Sequence, residues 1–291
     1  MDRIDKILSH EGYGSRKDIK KLLRIAEVLV NGKQIFDPSF QINTDTDLLT
    51  IDGEPVNLHQ QKYILMNKIM HTVSSKKDGE HQTVFDLLEE KYHTPYLEDH
   101  LHLVGRLDMD TEGLLLFTTN GELTHRVTSP KSHISKKYLC ILEKTETMEH
   151  KRIIEQMFFD GIHIAAEDND PEADCQKGAI VTWPNVDEVL PFLRFSSLNE
   201  TSPEYKEITE IVINKKEKVR ISLEDLENRI AILQISEGKY HQVKRMFSAV
   251  DNKVIFLKRI EMGSLKLPQS LHPGKYIELS GEKLSRYLKR N

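Results

Sequence analysis

Three carboxylates, Asp108, Asp110 and Glu112, stand close together in the run Leu-Val-Gly-Arg-Leu-Asp-Met-Asp-Thr-Glu-Gly-Leu-Leu-Leu-Phe-Thr-Thr-Asn-Gly-Glu-Leu of residues 103–123. Residues 114–118 are apolar or strand-favouring and are closed by the turn pair Asn120-Gly121. Asp108 is therefore expected on a loop between two buried strands, where rigid supports place its carboxylate to react. An aspartate beside a glycine-containing turn is also an ordinary cap or turn residue. Asp110 and Glu112 are of the type a glycosidase pair uses, but they are too near in the chain to flank a sugar ring without a sharp turn. Asp110 and Thr111 are accordingly read as turn hydrogen-bonders.

Other reactive side chains carry weaker signals. His100 and His102 make an H-x-H pair expected on one face of a strand; with no cysteine or third histidine nearby in sequence they read as packing or surface residues, and no metal site is expected. Cys140 lies in an apparent strand and Cys175 in an acidic stretch, which gives neither a zinc nor a disulfide framework and suits a reducing cytoplasm. Lys136-Lys137-Tyr138 opens a strand, so Tyr138 by itself reads as a half-buried strand aromatic. Lys244 and Arg245 fall in the first turns of a helix that follows Gly238, within Glu-Gly-Lys-Tyr-His-Gln-Val-Lys-Arg-Met of residues 237–246.

The chain that positions these groups has 291 residues, 38% hydrophobic and 30% charged, enough for more than one domain and a sizeable core. No apolar run approaches the roughly 18 residues of a membrane span, and the start Met-Asp-Arg-Ile-Asp-Lys has no signal core, so a cytoplasmic protein without a membrane partner is expected. The net charge of −5 is unevenly spread. Residues 160–228 hold 16 acidic and 7 basic side chains, whereas residues 229–291 hold 13 basic and 5 acidic. A polyanion needs only a local basic surface.

Taken in order, residues 2–10 and 15–25 read as two amphipathic helices, the second started by Ser15 with Asp18 completing a capping box. That helix carries Arg16, Lys17, Lys20, Lys21 and Arg24. Val28-Leu29-Val30-Asn31-Gly32-Lys33-Gln34-Ile35 is a strand, an Asn-Gly turn and a strand, the strongest short hairpin signal. Residues 57–61 make a polar hinge, 62–68 a strand, 74–82 a polar loop and 84–92 a helix. Residues 121–129 form a short helix stopped by Pro130, 135–142 a strand, and Thr147 caps a helix running to Phe158. Residues 229–237 and 254–260 are strands, and 281–290 a basic closing helix.

Two stretches resemble one family. Gly-Arg-Leu-Asp, Asp-Thr-Glu-Gly-Leu and Thr-Asn-Gly-Glu in residues 105–122, and the phrase of residues 237–246 about 130 positions later, are similar to the two signatures of the RsuA-type family of ribosomal RNA pseudouridine synthases. Residues 2–56 resemble the alpha-L RNA-binding domain, departing from it at Ala26-Glu27. The resemblance to the synthase family lapses over the acidic residues 165–225, read as an insertion with little strand order at its start, repelled by RNA and facing away from it or toward a basic partner. Asp251 stands where the family commonly has a glycine, which implies a left-handed turn that Asp tolerates. The resemblance implies an α+β protein with a small RNA-binding domain over residues 1–58. A catalytic domain with a mainly antiparallel mixed sheet would occupy residues 62–291. It implies isomerisation of a uridine in ribosomal RNA, small-subunit RNA being favoured, by a monomer acting on ribosomal RNA or a subunit precursor. Asp108 would be the catalytic carboxylate, Tyr138 the face that stacks on uracil, and Lys244 the cation that keeps Asp108 ionised. Arg106 would fill the gap left by the extruded base or hold a flanking phosphate. Lys136, Arg245 and the five cations of the second helix would contact phosphates. An isomerisation needs no cofactor, consistent with a sequence lacking a dinucleotide fingerprint or a phosphate-binding Gly-Lys loop. The alternative is a non-catalytic RNA-binding or ribosome-assembly protein.

Overall fold

The computed structural model describes residues 1–44, 46–56, 61–194, 211–214, 217–219 and 223–288. The hinge at 57–61, apart from Gln61, the serine-rich stretch 196–202 and the end of the closing helix lie outside these residues. The chain forms two compact units. One is Met1–Lys62 with Leu88–His102 and Thr118–Asn120; the other is Tyr63–Leu87, Leu103–Phe117 and Gly121–Asn291.

In the first unit the helices Ile4–His10 and Arg16–Ile25 pack against a four-stranded sheet of Lys33–Gln34, Val28–Val30, Leu49–Ile51 and Glu54–Val56. Ser15 accepts from the Asp18 amide while the Asp18 carboxylate accepts from the Ser15 amide at 3.0 Å, so the expected capping box is complete. Ile4, Ile7, Leu8, Ile19 and Leu23 are fully buried with the strand residues Val28 and Leu49. That burial turns the opposite face of the second helix outward, and all five of its cations are exposed. Asn31 and Gly32 both have positive φ, 50° and 78°, which gives the hairpin the turn its strands require.

The second unit is built on a mixed sheet. Along its main path the strands run Ile180–Thr182, Ile230–Ile235, Lys136–Leu142, Val254–Met262, Thr111–Thr118, Tyr63–Lys68 and Tyr276–Glu278. Neighbours are antiparallel across the first four and again at the last pair, whereas Val254–Met262 and Thr111–Thr118 are parallel. Thr111–Thr118 and Tyr63–Lys68 are buried along their whole length, as their near-continuous apolar sequence requires of strands covered on both faces. Leu139, Ile141, Ile230 and Phe256 pack with Val186, Val189 and Leu193 of the helix Val186–Arg194. Leu65, Leu114 and Leu116 pack with Leu123 and Val127 of the helix Gly121–Thr128 and with Leu284. At Gly113, with φ +102°, an added Cβ would lie 2.2 Å from the Arg259 carbonyl oxygen of the parallel neighbour, so only glycine fits this register.

Three expectations change. Residues 84–92 form no helix beyond the single turn Glu90–Tyr92. Thr83 and Asp86 satisfy each other's amides in a closed turn, and the bonded pair Val73 and Thr83 ties this segment to its neighbour. His100 ends the helix Pro95–His100 and stacks on Tyr96, whereas His102 begins a strand, so the two histidines share no strand face. The acidic start of the insertion is ordered as a hairpin, His163–Ile164 against Ala173–Asp174, closed by reciprocal backbone bonds between Glu167 and Asp170. Asp251 takes the expected left-handed conformation, φ 58°.

Candidate active site

The loop before Thr111–Thr118 carries Asp108, and a buried lysine holds that loop from below. Lys68, last residue of its strand and fully buried, donates to the carbonyls of Thr111 at 2.9 Å, Ile69 at 3.1 Å and Met109 at 3.3 Å. Burial pushes its ammonium down to about 8, against the pull of Glu112, Asp110 and Asp108. Ser74 pins the other side: its hydroxyl donates to the Leu107 carbonyl and accepts from the Leu107 amide. The backbone on both sides of Asp108 is thus fixed while its carboxylate stays one-third exposed.

The three carboxylates of the motif part company in three dimensions. Glu112 is fully buried and pairs with buried Lys258 at 3.4 Å, a structural ion pair inside the sheet. Asp110 is the primary partner of Lys244, whose Nζ lies 2.6 and 2.8 Å from its two oxygens, so Asp110 is more than the turn residue expected. The same ammonium is 3.7 Å from Asp108 Oδ2, and His241 Nε2 approaches that oxygen to 3.8 Å from a second direction. Lys244 comes from the helix Gln242–Ser248, and His241 precedes it in a left-handed conformation, φ 46°. Non-glycine residues hold that conformation only where surroundings enforce it. Here Gln242 bonds the Lys239 amide and the Glu237 carboxylate, which locks the turn.

Asp108 opens into a small cleft lined also by Arg106, Thr111, Tyr138, Lys239 and His241. Tyr138 stands in the register position opposite Leu233 on one side and Arg259 on the other. Arg106 is exposed, and its guanidinium takes no ion pair among the described residues. The structure therefore brings Arg106, Asp108, Tyr138 and Lys244 to one place, although 136 residues separate Asp108 from Lys244.

Arg245 departs from expectation. It is buried, and its guanidinium donates to the carbonyls of Ala165, Tyr240 and Pro171 at 2.6–3.1 Å, leaving it no reach to a phosphate. It clips the base of the acidic hairpin to the turn that carries His241. The hairpin tip consequently lies against the site instead of facing away from it: Glu167 Oε2 is 3.1 Å from His241 Nδ1, and Asp168 accepts from the Tyr240 hydroxyl at 2.8 Å. That bond pushes the Tyr240 phenol up to about 12. Sequence reasoning missed Glu167 and Asp168 because contacts 74 and 72 residues apart leave no local trace. Lys68 did leave one, a lysine closing a strand whose first four residues are apolar. No group of three metal-ligating side chains occurs among the described residues, and none of their helices is long and apolar enough to cross a membrane.

Comparison with known proteins gives this arrangement a context. Residues 62–249 match the family model described as RNA pseudouridylate synthase, and residues 2–48 match the S4 domain. The chain is 35% identical to the uncharacterized RNA pseudouridine synthase YtzG of Bacillus subtilis, over 97% of this chain and 96% of that one. It is 32% identical to the ribosomal small subunit pseudouridine synthase A of Vibrio cholerae and 30% identical to that of Escherichia coli. Each of these matches covers 97% of this chain and 98% of the relative. A crystal structure of a pseudouridylate synthase superposes with a TM-score of 0.54 at 27% identity, covering 99% of this chain and 100% of the other. With one family model spanning residues 62–249 and relatives above 30% identity over 97% of the chain, the chain belongs to the RNA pseudouridylate synthase family and is an isomerase with an S4 RNA-binding domain.

Proposed function

We propose that the protein converts one uridine of small-subunit ribosomal RNA to pseudouridine, with Asp108 as the catalytic carboxylate. The reaction breaks the bond between uracil N1 and the ribose anomeric carbon, turns the base and joins C5 to the same carbon; the C5 proton leaves and N1 regains one. The observation that carries this reading is the setting of Asp108: a rigidly backed, partly exposed carboxylate with two cationic or protonatable groups within 3.8 Å of one oxygen. Both groups orient the carboxylate that must act on the sugar. Tyr138, in the wall of the same cleft, supplies a flat face for the detached base, and Lys244 holds Asp108 and Asp110 apart from each other's charge.

The target nucleotide must leave its stack first, at a cost of a few kcal/mol. Arg106 at the cleft mouth fits the space the base vacates. The exposed cations Arg16, Lys17, Lys20, Lys21 and Arg24 add sequence-independent phosphate attraction. Relatives of the same length are named for the small ribosomal subunit, which favours that RNA as substrate. The test is a pseudouridine map of ribosomal RNA from cells with and without the gene. One site missing from small-subunit RNA is expected. A missing site in large-subunit RNA corrects the substrate, and an unchanged map leaves a protein that binds RNA without modifying it.

A further inference from the structure

Beside the Asp108 cleft lies a second one, and the two share Arg106, Tyr138 and Gly238. Its walls carry Lys136, Arg259, Ser129 and Ser236, with Glu237 the one acid among them. Among the described residues no ion pair holds the cations there. The Lys136 ammonium makes no hydrogen bond or ion pair among the described residues, and neither does the Arg106 guanidinium. Arg259 is 3% exposed; its Nε donates to the Leu114 carbonyl at 2.8 Å, but its buried Nη2 has no partner. Glu237 offsets them only in part, because its carboxylate already binds Lys239, the Gln176 amide and Gln242.

A buried guanidinium N–H left unsatisfied is destabilising, and like charges lining one cleft add to that, so such a site is completed by an anion. From this we infer that the second cleft is a phosphate subsite in which Lys136 and Arg259 hold the phosphodiester flanking the extruded nucleotide. The inference rests on the catalytic reading of Asp108 for the identity of the nucleotide but not for the presence of the anion site. Register supports it: Tyr138 sits opposite Arg259 on the neighbouring strand, and Lys136 is two residues from Tyr138 on the same strand. A base against Tyr138 therefore puts its own backbone beside these two cations. The acidic hairpin tip, with Glu167 and Asp168, lies against Tyr240 and His241 and contributes nothing to the lining of this cleft, so charge repulsion turns the strand toward Lys136. Burial first, and Arg259 second, push the Lys136 ammonium down to about 8 against the opposing pull of Glu237. A phosphate would remove the repulsive part of that shift.

The test uses the full-length protein in two arms. First, amines are acetylated at pH 8 and Lys136 labelling is read by mass spectrometry, with inorganic phosphate or an oligoribonucleotide present. About tenfold protection is expected once the anion exceeds its dissociation constant tenfold, with the N-terminal lysines unaffected by inorganic phosphate. Second, Lys136→Gln should raise KM for small-subunit RNA about tenfold with far less change in kcat, while Lys136→Arg stays near wild type. Unchanged labelling with both anions, or a wild-type KM in Lys136→Gln, overturns the subsite. If the wild-type protein forms no pseudouridine yet phosphate protects Lys136, the catalytic reading fails and the subsite stands.

Discussion

Replacing Asp108 with asparagine keeps the size of the side chain and removes its charge, and the structure says what else should change. The carboxylate's two ion contacts are 3.7 and 3.8 Å long, and it is one-third exposed. Partly solvated pairs of this kind contribute about 0–1 kcal/mol, so the melting temperature of a chain this size should move by no more than about 2–4 °C. RNA affinity should stay the same or rise slightly, since a negative charge has left the neighbourhood of phosphates. Turnover should fall by at least about 10⁴-fold, equivalent to about 5.4 kcal/mol of lost transition-state stabilisation, because an amide supplies neither the charge nor the nucleophile. Single-turnover release of tritium from 5-tritiated uridine in the target RNA, run beside binding and thermal melts, separates these outcomes. Turnover above about one percent of wild type in a folded Asp108→Asn protein would refute the mechanism. A large loss of stability or affinity would show that Asp108 works through the fold instead.

Gly113→Ala should be unable to adopt the native register, since its Cβ would overlap the Arg259 carbonyl at a positive φ; loss of more than about 3 kcal/mol, or insoluble expression, is expected in denaturant melts. Arg245→Met strips the donors from two carbonyls of the acidic hairpin, Ala165 and Pro171, and from that of Tyr240, so stability should drop by about 2–4 kcal/mol, and limited proteolysis should cut within residues 165–171 sooner than in wild type. Because the ammonium of Lys136 loses its charge as pH rises through about 8, RNA binding at fixed ionic strength should weaken about fivefold between pH 7 and 9.5. In Lys136→Gln that step should vanish; a step of equal size in the variant points to another group.

Much of the fold was legible because its signals are local. The Ser15 capping box, the Asn31-Gly32 hairpin, the Thr147 cap and the left-handed Asp251 each depend on neighbours a few residues away, and each appears as the sequence indicates. The expected helix at 84–92 failed because Thr83 and Asp86 close a turn on themselves and a pairing with Val73 holds the segment, a choice that apolar periodicity does not encode.

The amino-acid order by itself determined that Asp108 would sit on a loop before a buried strand, and that a basic helix start would follow far downstream. Only the tertiary structure decided how the charges are shared. It gave Lys244 chiefly to Asp110, buried Glu112 against Lys258, withdrew Arg245 from RNA into a backbone clamp, and brought the acidic hairpin to His241. The physical reason is range. Caps, turns and periodicity act over a few residues and can be read along the chain, whereas ion pairs are settled by strand register and burial between segments 74 to 146 residues apart.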